Sequence, residues 1–283
     1  MIDVDYILSG KELDPNKGIP VWDESTLLSL DFDKNSGFNL PEKDFANEAF
    51  DTDWGVDAKQ IFLLFSTPRS GSTAVCDYLY KTTNLVVHEY FQPYQYMPFI
   101  ASRWGSKHRG YLDPKHYVYS LLKYRVGENG TLGVNLHGSH INVFNYFEKY
   151  YFEASLPRFA LILKRRNKIS QAVSYYVASR TKKWSSHFSG DMEIPEYSFS
   201  GIKSKLVSIL TQELLIERYL ADRPIPHQTI FYENISSSYG ELIDDELQKK
   251  IGVQEININV AEIKKQAGEL NKLYSEKFKK DLE

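Results

Sequence analysis

Residues 67–73 read T-P-R-S-G-S-T and follow, after Ser66, the apolar run Ile61–Phe65. Arg69 offers a planar cationic fork suited to phosphate or sulfate. Gly71 lets the backbone approach a ligand without a Cβ in the way. Ser70, Ser72 and Thr73 add hydroxyl donors. A strand that enters such a loop and leaves it as a helix aims backbone N–H groups and a helix dipole at an anion. Arg69 to Thr73 therefore have the makings of an oxyanion cradle. The same residues also suit an ordinary strand-to-helix turn capped by Ser72 or Thr73. They do not suit the phosphate loop of a kinase, whose G-x-x-x-x-G-K-S/T pattern requires a lysine after its second glycine. Here Ser72 follows Gly71, and Ser66 stands where the first glycine would be.

A second stretch repeats the logic. The apolar FALILK (159–164) runs into Arg165, Arg166 and Asn167, and a helical pattern carrying Ile169, Ser170, Ala172, Val173 and Ser174 follows. One of the two arginines, with the hydroxyl of Ser174, could clamp a second anion. Taken alone, Arg165, Arg166 and Lys168 also read as a solvated basic edge. In tandem the two loops call for a ligand with two separate anionic groups.

These loops must be held by strands. IFLLF (61–65), TLGVNLH (131–137), FALILK and HQTIFY (227–232) read as strands, and Asn84–Val87 as a further short one. Helical periodicity covers about 72–82, 110–126, 169 onward, 200–221, 240–251 and 260–281. Strands alternating with helices predict a three-layer α/β/α fold with a central, mostly parallel sheet and a P-loop-like strand–loop–helix. Ligands of such sheets sit outside the carboxyl ends of the strands, where both loops fall. Residues 1–55 mix charge, Pro, Gly and Asn and read as an extension packed on a main domain at 56–283. A chain of 283 residues at net charge −3 carries no global basic field for nucleic acid. The sole cysteine, Cys76, precludes an intrachain disulfide and suits a reducing compartment. With no signal-like N-terminus and no run of 18 apolar residues, a cytoplasmic protein without an integral membrane segment is expected.

The motifs T-P-R-S-G-S-T, H-E-Y-F (88–91) and R-R-N-K-I-S-Q-A-V-S ahead of T-K-K-W (181–184) resemble those of sulfotransferases that use 3′-phosphoadenosine 5′-phosphosulfate (PAPS), in particular the bacterial trehalose sulfotransferase-like family. The resemblance covers residues 58–188, and more loosely FYENI (231–235) and 264–282. It implies that Arg69, Ser70, Gly71, Ser72 and Thr73 hold the 5′-phosphosulfate and that Ser174, with Arg165 or Arg166, holds the 3′-phosphate. A spacing of eight to Ser174 points to Arg166, whereas the bacterial relatives place an arginine at Arg165. Lys264, Lys265 and Gln266 occupy the place of a short basic segment near the donor.

Sulfuryl transfer needs a general base for the acceptor hydroxyl and cations for the developing charge. Glu89, ahead of Tyr90-Phe91, matches the base proposed for the bacterial family. His137 is the alternative, since cytosolic sulfotransferases use a histidine after a strand. Relatives carry a lysine two residues earlier, where this chain has Asn135, so leaving-group stabilisation would pass to another cation such as Arg69 or Lys168. His88 and His140 read as surface or packing histidines. His88, His137 and His140 lack a recognisable ligand spacing, and no metal is expected. Tyr90, Phe91, Tyr94, Tyr96 and Trp184 are candidates for the acceptor pocket, Trp184 by stacking on a sugar face. The expected reaction moves the sulfuryl group of PAPS to a carbohydrate, glycolipid or polysaccharide-precursor hydroxyl and leaves PAP. The rivals are a small-molecule kinase and a non-catalytic nucleotide-binding module of the same fold. Homo-oligomers are compatible with the sequence.

Overall fold

The computed structural model describes residues 40–184, 194–235, 243–252 and 268–283. In chain order the elements are β1 (Gln60–Ser66), α1 (Ser72–Thr83), α2 (Tyr96–Arg103), β2 (Lys107–His108), β3 (Tyr111–Leu112), α3 (Pro114–Arg125), β4 (Thr131–His137) and α4 (Ile141–Tyr151). They continue as β5 (Arg158–Lys164), α5 (Lys168–Thr181), α6 (Phe199–Ala221), β6 (His227–Phe231), α7 (Asp245–Ile251) and α8 (Glu269–Leu282).

Four strands form one parallel sheet in the order β4-β1-β5-β6. Side chains alternate between the faces of a strand, and both faces of this sheet are covered, which is why its strands read as unbroken apolar runs. Ile61, Leu63 and Phe65 of β1 join Leu132, Val134 and Leu136 of β4 under α3, α4 and the C-terminal half of α6. Phe62 and Leu64 face the other way with Leu161 and Leu163, against Val75 and Leu79 of α1. A third cluster binds α5, α6 and α8 through Val173, Leu206, Ile209, Tyr274 and Phe278. The result is the three-layer α/β/α arrangement. No helix among the described residues is long and apolar enough to cross a membrane.

The register fixes where chemistry can occur. Ser66 pairs with His137, Phe65 with Ile162 and Lys164 with Phe231, so all four strands end along one edge. The loops after β1, β4, β5 and β6 emerge there together.

Three local expectations change. Asn84–Val87 is not a strand. His88 makes a single parallel bridge to Val134, and its carbonyl accepts the Asn135 N–H at 2.9 Å, which extends the sheet edge by one residue. Helices α2 and α4 have no counterpart in the periodicity reading. The β-branched and aromatic sequence INVFNYFEKYY of α4 disfavours helix locally, yet Ile141, Val143, Phe144 and Phe147 bury a common stripe on the sheet. The region expected to be helical from residue 110 opens instead with β3, paired antiparallel with β2 just ahead of it, and the helix begins at Pro114. The Arg109-Gly110 turn of that pair has positive φ at both positions, 53° and 83°. Part of the predicted 240–251 and 260–281 helices, and Lys264, Lys265 and Gln266, lie outside the described residues. Residues 40–55 pack on the domain. The fully buried Arg125 donates to the Phe45 carbonyl at 2.7 Å and to Asp51 at 2.6 Å, and the Trp104 Nε1–H donates to Asp51 at 2.9 Å.

Candidate active site

The first loop leaves β1 with Ser66, whose hydroxyl donates to Asn135 Oδ1 at 2.9 Å. A turn follows, with the Ser70 N–H bonded to the Thr67 carbonyl at 3.1 Å. Arg69 and Gly71 both take left-handed backbone, at φ 65° and 99°. An arginine seldom adopts that conformation, so the surrounding packing must hold it there. Glycine is required at 71 on two counts. Besides its φ, a Cβ there would lie 2.5 Å from Cδ2 of Tyr232. Gly71 is itself the N-cap of α1 and no side chain caps the helix, so Ser72 and Thr73 do not act as the cap. The Ser70 hydroxyl is buried and has no hydrogen-bond partner.

The second loop packs against the first. Asn167 caps α5 by accepting the Ser170 N–H at 2.9 Å. Gln171 reaches across from α5 and donates to Thr67 Oγ1 at 2.8 Å and the Pro68 carbonyl at 2.9 Å, tying the two loops together. Arg69 Nε donates to Ser174 Oγ at 3.0 Å, and its Nη1 donates to the Trp184 carbonyl. Arg165 donates to the Arg69 carbonyl at 3.3 Å and to Ser170 Oγ at 2.9 Å, lies 4.8 Å over the Tyr232 ring, and leaves its buried Nε without a partner. Burial, then the nearby positive charge of Arg165, lowers Arg69 to about 10, with Tyr232 opposing.

Arg166 faces elsewhere. Its guanidinium donates to Asn234 Oδ1 at 2.7 Å and lies 4.1 Å over Phe231. The Glu233 carboxylate clamps the backbone by accepting the N–H groups of Arg166 at 3.0 Å and Asn167 at 3.1 Å. Burial raises the Glu233 pKa, but those backbone bonds outweigh it and hold the group below its ordinary value. Arg165, not Arg166, therefore lies with Arg69 in the loop cluster. Lys168 forms an ion pair with Glu213 of α6 and is engaged away from the loops.

A carboxylate and two imidazoles occupy the same sheet edge. Glu89 follows the His88 bridge, and its Oε2 lies 3.6 Å from His137 Nδ1, with 19% of its side chain exposed, so the carboxylate is enclosed yet reachable. The His137 and His140 rings stack at 5.3 Å. Burial pushes Glu89 up to about 8 and His137 down to about 4. Burial, then His137, holds His140 well below its ordinary value. His137 Nε2 and His140 Nδ1 are buried without hydrogen-bond partners. The turn after β4 is fixed by close approach of α6, since a Cβ on Gly138 would lie 2.3 Å from the Gln212 carbonyl oxygen. Glu89, His137 and His140 offer ligand atoms within 4.8 Å of one another. The grouping of His88 with the other two histidines does not occur. His88 Nε2 lies 3.6 Å from Asp44 Oδ1, and its ring meets Tyr96 edge-on at 4.4 Å.

Two expected acceptor residues are in the core. The buried Tyr90 donates its hydroxyl to the Val86 carbonyl at 3.0 Å, and Tyr117 donates to the Tyr90 carbonyl at 2.7 Å. The buried Phe91 packs against Phe144 and Phe147. Both side chains are wholly enclosed and cannot meet an acceptor. The Tyr96 hydroxyl donates to Asp44 at 3.4 Å and Tyr94 is exposed. Trp184 is half-buried, 6.0 Å from the Tyr175 ring. Motif reading passed over Gln171, Tyr175 and Tyr232. Their spacing to the loops in sequence carries no signal, although FYENI had marked the segment of Tyr232.

The chain matches the family model of the Stf0 sulphotransferases over residues 145–281. It resembles that family, and sulfotransferase is the activity the match supports. The matched span holds the second loop, α5, α6 and β6, whereas the first loop and Glu89 lie ahead of it. No curated protein matches the chain.

Proposed function

Starting from sulfuryl transfer as the activity, we propose that this chain is a cytoplasmic, PAPS-dependent sulfotransferase whose acceptor is a carbohydrate hydroxyl. One juxtaposition carries the reading. Two arginines cluster at a left-handed glycine loop whose helix no side chain caps, and a largely enclosed carboxylate with a raised pKa stands on the same sheet edge. The residues fit the donor. The unpartnered Ser70 hydroxyl and Arg165 Nε, and the mutual repulsion of Arg69 and Arg165, are what a bound anion would relieve.

In this reading Arg69 to Thr73 grip the 5′-phosphosulfate, and Arg165 with Ser174 meets the 3′-phosphate, while Arg166 braces the turn after β6. Glu89 takes the acceptor proton. The acceptor oxygen bonds to sulfur as the bond from sulfur to the 5′-phosphate oxygen breaks. The electron pair stays on that oxygen, facing Arg69 and the N–H groups of the loop, and PAP leaves. A carboxylate near 8 is a far stronger base than an exposed one, and positioned proton transfer contributes about 10²–10⁴-fold to rate. Neutral His137 orients the Glu89 carboxylate. The test is thermal shift with PAP, without and with Mg²⁺. PAP is expected to raise Tm without metal, and ATP to have no comparable effect. No stabilisation by PAP would remove the donor assignment.

A further inference from the structure

Beyond the two loops and Glu89, a cationic shelf lies next to the site. Tyr175 directly follows Ser174 on α5. Its hydroxyl is bonded to Ser208, and it feels the charge of Glu89. Lys205 of α6 holds its ammonium 4.6 Å over the Tyr175 ring. Lys182, the left-handed cap residue of α5, adds a second positive charge that reaches Lys205. The Trp184 ring lies 6.0 Å from that of Tyr175 and is tilted by 60° to it. Among the described residues no carboxylate lies within ion-pair distance of Lys182 or Lys205, although Lys164, Lys168 and Lys250 all have one.

The shelf is tied to the base. Gln212 Nε2 donates to Ser208 Oγ at 3.2 Å, and Gln212 Oε1 accepts the Ser139 N–H at 3.4 Å in the turn between His137 and His140. Tyr175, Ser208, Gln212 and Ser139 thus form a continuous brace from the shelf to the base cluster, and an occupant of the shelf is held in fixed relation to Glu89.

We propose that Lys205 and Lys182 bind an anionic group on the acceptor, so that the preferred acceptor is an acidic sugar, phosphorylated or carboxylated, whose ring lies on Tyr175 and Trp184 while its hydroxyl meets Glu89. This rests on the sulfotransferase reading and narrows its acceptor. Aromatic rings take the apolar face of a sugar, and a half-buried Lys205 beside the exposed Lys182, neither with a carboxylate partner among the described residues, gains from an anion that restores lost solvation and offsets the two positive charges.

The test is calorimetry on the PAP-saturated protein with glucose 6-phosphate and glucuronic acid against glucose. Wild type is expected to bind the two acids at least tenfold more tightly than glucose. Lys205→Gln, which keeps most of the aliphatic stem over Tyr175, and Lys182→Ala are each expected to remove most of that advantage and leave PAP affinity unchanged. Equal affinity for acid and neutral sugars overturns the proposal, as does an unchanged preference in both variants. A loss of PAP affinity in Lys205→Gln would assign the shelf to the donor and also overturn it. Failure of wild type to bind PAP would instead strike the donor reading, which is measured separately.

Discussion

Around Arg69 the polar groups are densely cross-tied. Its guanidinium reaches Ser174 and the Trp184 carbonyl, its own carbonyl accepts from Arg165, and Gln171 fastens Thr67 and Pro68 to α5. Around Glu89, along the same sheet edge, bonding is sparse. The carboxylate has His137 at 3.6 Å, and His137 Nε2 and His140 Nδ1 have no partner at all. One region is preorganised by many bonds to hold charge that arrives already formed. The other is kept dry, so that its charge is costly and therefore reactive. Grip and reactivity are thus supplied by different bonding on one sheet edge, since Arg69 is partly buried but cross-tied whereas Glu89 is enclosed with few partners.

The largest expected effect comes from removing the reactive charge. Glu89→Gln should lower kcat by about 10²–10⁴-fold, the usual range for a positioned base, with PAP affinity unchanged. If turnover survives and His137→Ala abolishes it, the base is His137 and the contrast between the two regions must be redrawn.

Next is the grip. Arg69→Ala should weaken PAP binding by about tenfold to a hundredfold, the loss of a charge-assisted contact of about 1.5–3 kcal/mol. Turnover at saturating donor should also fall if, as proposed, the same guanidinium meets the leaving oxygen. Titration calorimetry with PAP gives the first number, and normal affinity would break the assignment of this loop.

The pH dependence sharpens the dry side. Glu89 must be ionised to act, so kcat/KM should rise with pH below about 8 and level off above it. His137, near 4, stays neutral across that range and adds no limb. Stability runs the other way. The folded pKa of Glu89 lies above its unfolded value, so between about 4.5 and 8 folding takes up a proton and stability declines as pH rises. Glu89→Gln should flatten that decline. A rate limb near 4 in place of one near 8 would point to His137 instead.

The smallest effect separates the two neighbouring arginines. Arg165→Ala should reduce PAP affinity by about tenfold, in line with one charged contact. Arg166→Ala should leave it within about twofold and lower Tm slightly, because an exposed pair such as Arg166 with Asn234 contributes little. The reverse order would restore the spacing-of-eight rule over the geometry.

Much of the fold was legible in the chain. Runs such as IFLLF and FALILK read as strands covered on both faces, and they ended on loops whose residue types suited an anion as well as an ordinary turn or basic edge. The two motif loops were visible because glycine, hydroxyls and arginines in tandem are local facts. Helix α4 was not, because its aromatic and β-branched residues speak against helix until the sheet supplies a surface for Ile141, Phe144 and Phe147. Tyr90 and Phe91 suggested a pocket wall because adjacency to Glu89 in sequence does not reveal which way a side chain turns. Tyr90 and Phe91 face the core, and Glu89 does not.

The sequence alone therefore determined that the chain has strands ending in loops of arginine, glycine and hydroxyls, that the kinase lysine is missing, and that Glu89 and His137 are the titratable groups to watch. Only the tertiary structure decided which arginine joins Arg69, because Arg165 and Arg166 differ by one position and the turn points them to opposite sides. It alone brought Tyr232 over Gly71 and made Glu89 basic. Burial and the company of distant residues set a pKa and a direction, and neither is encoded in the spacing of neighbours along the chain.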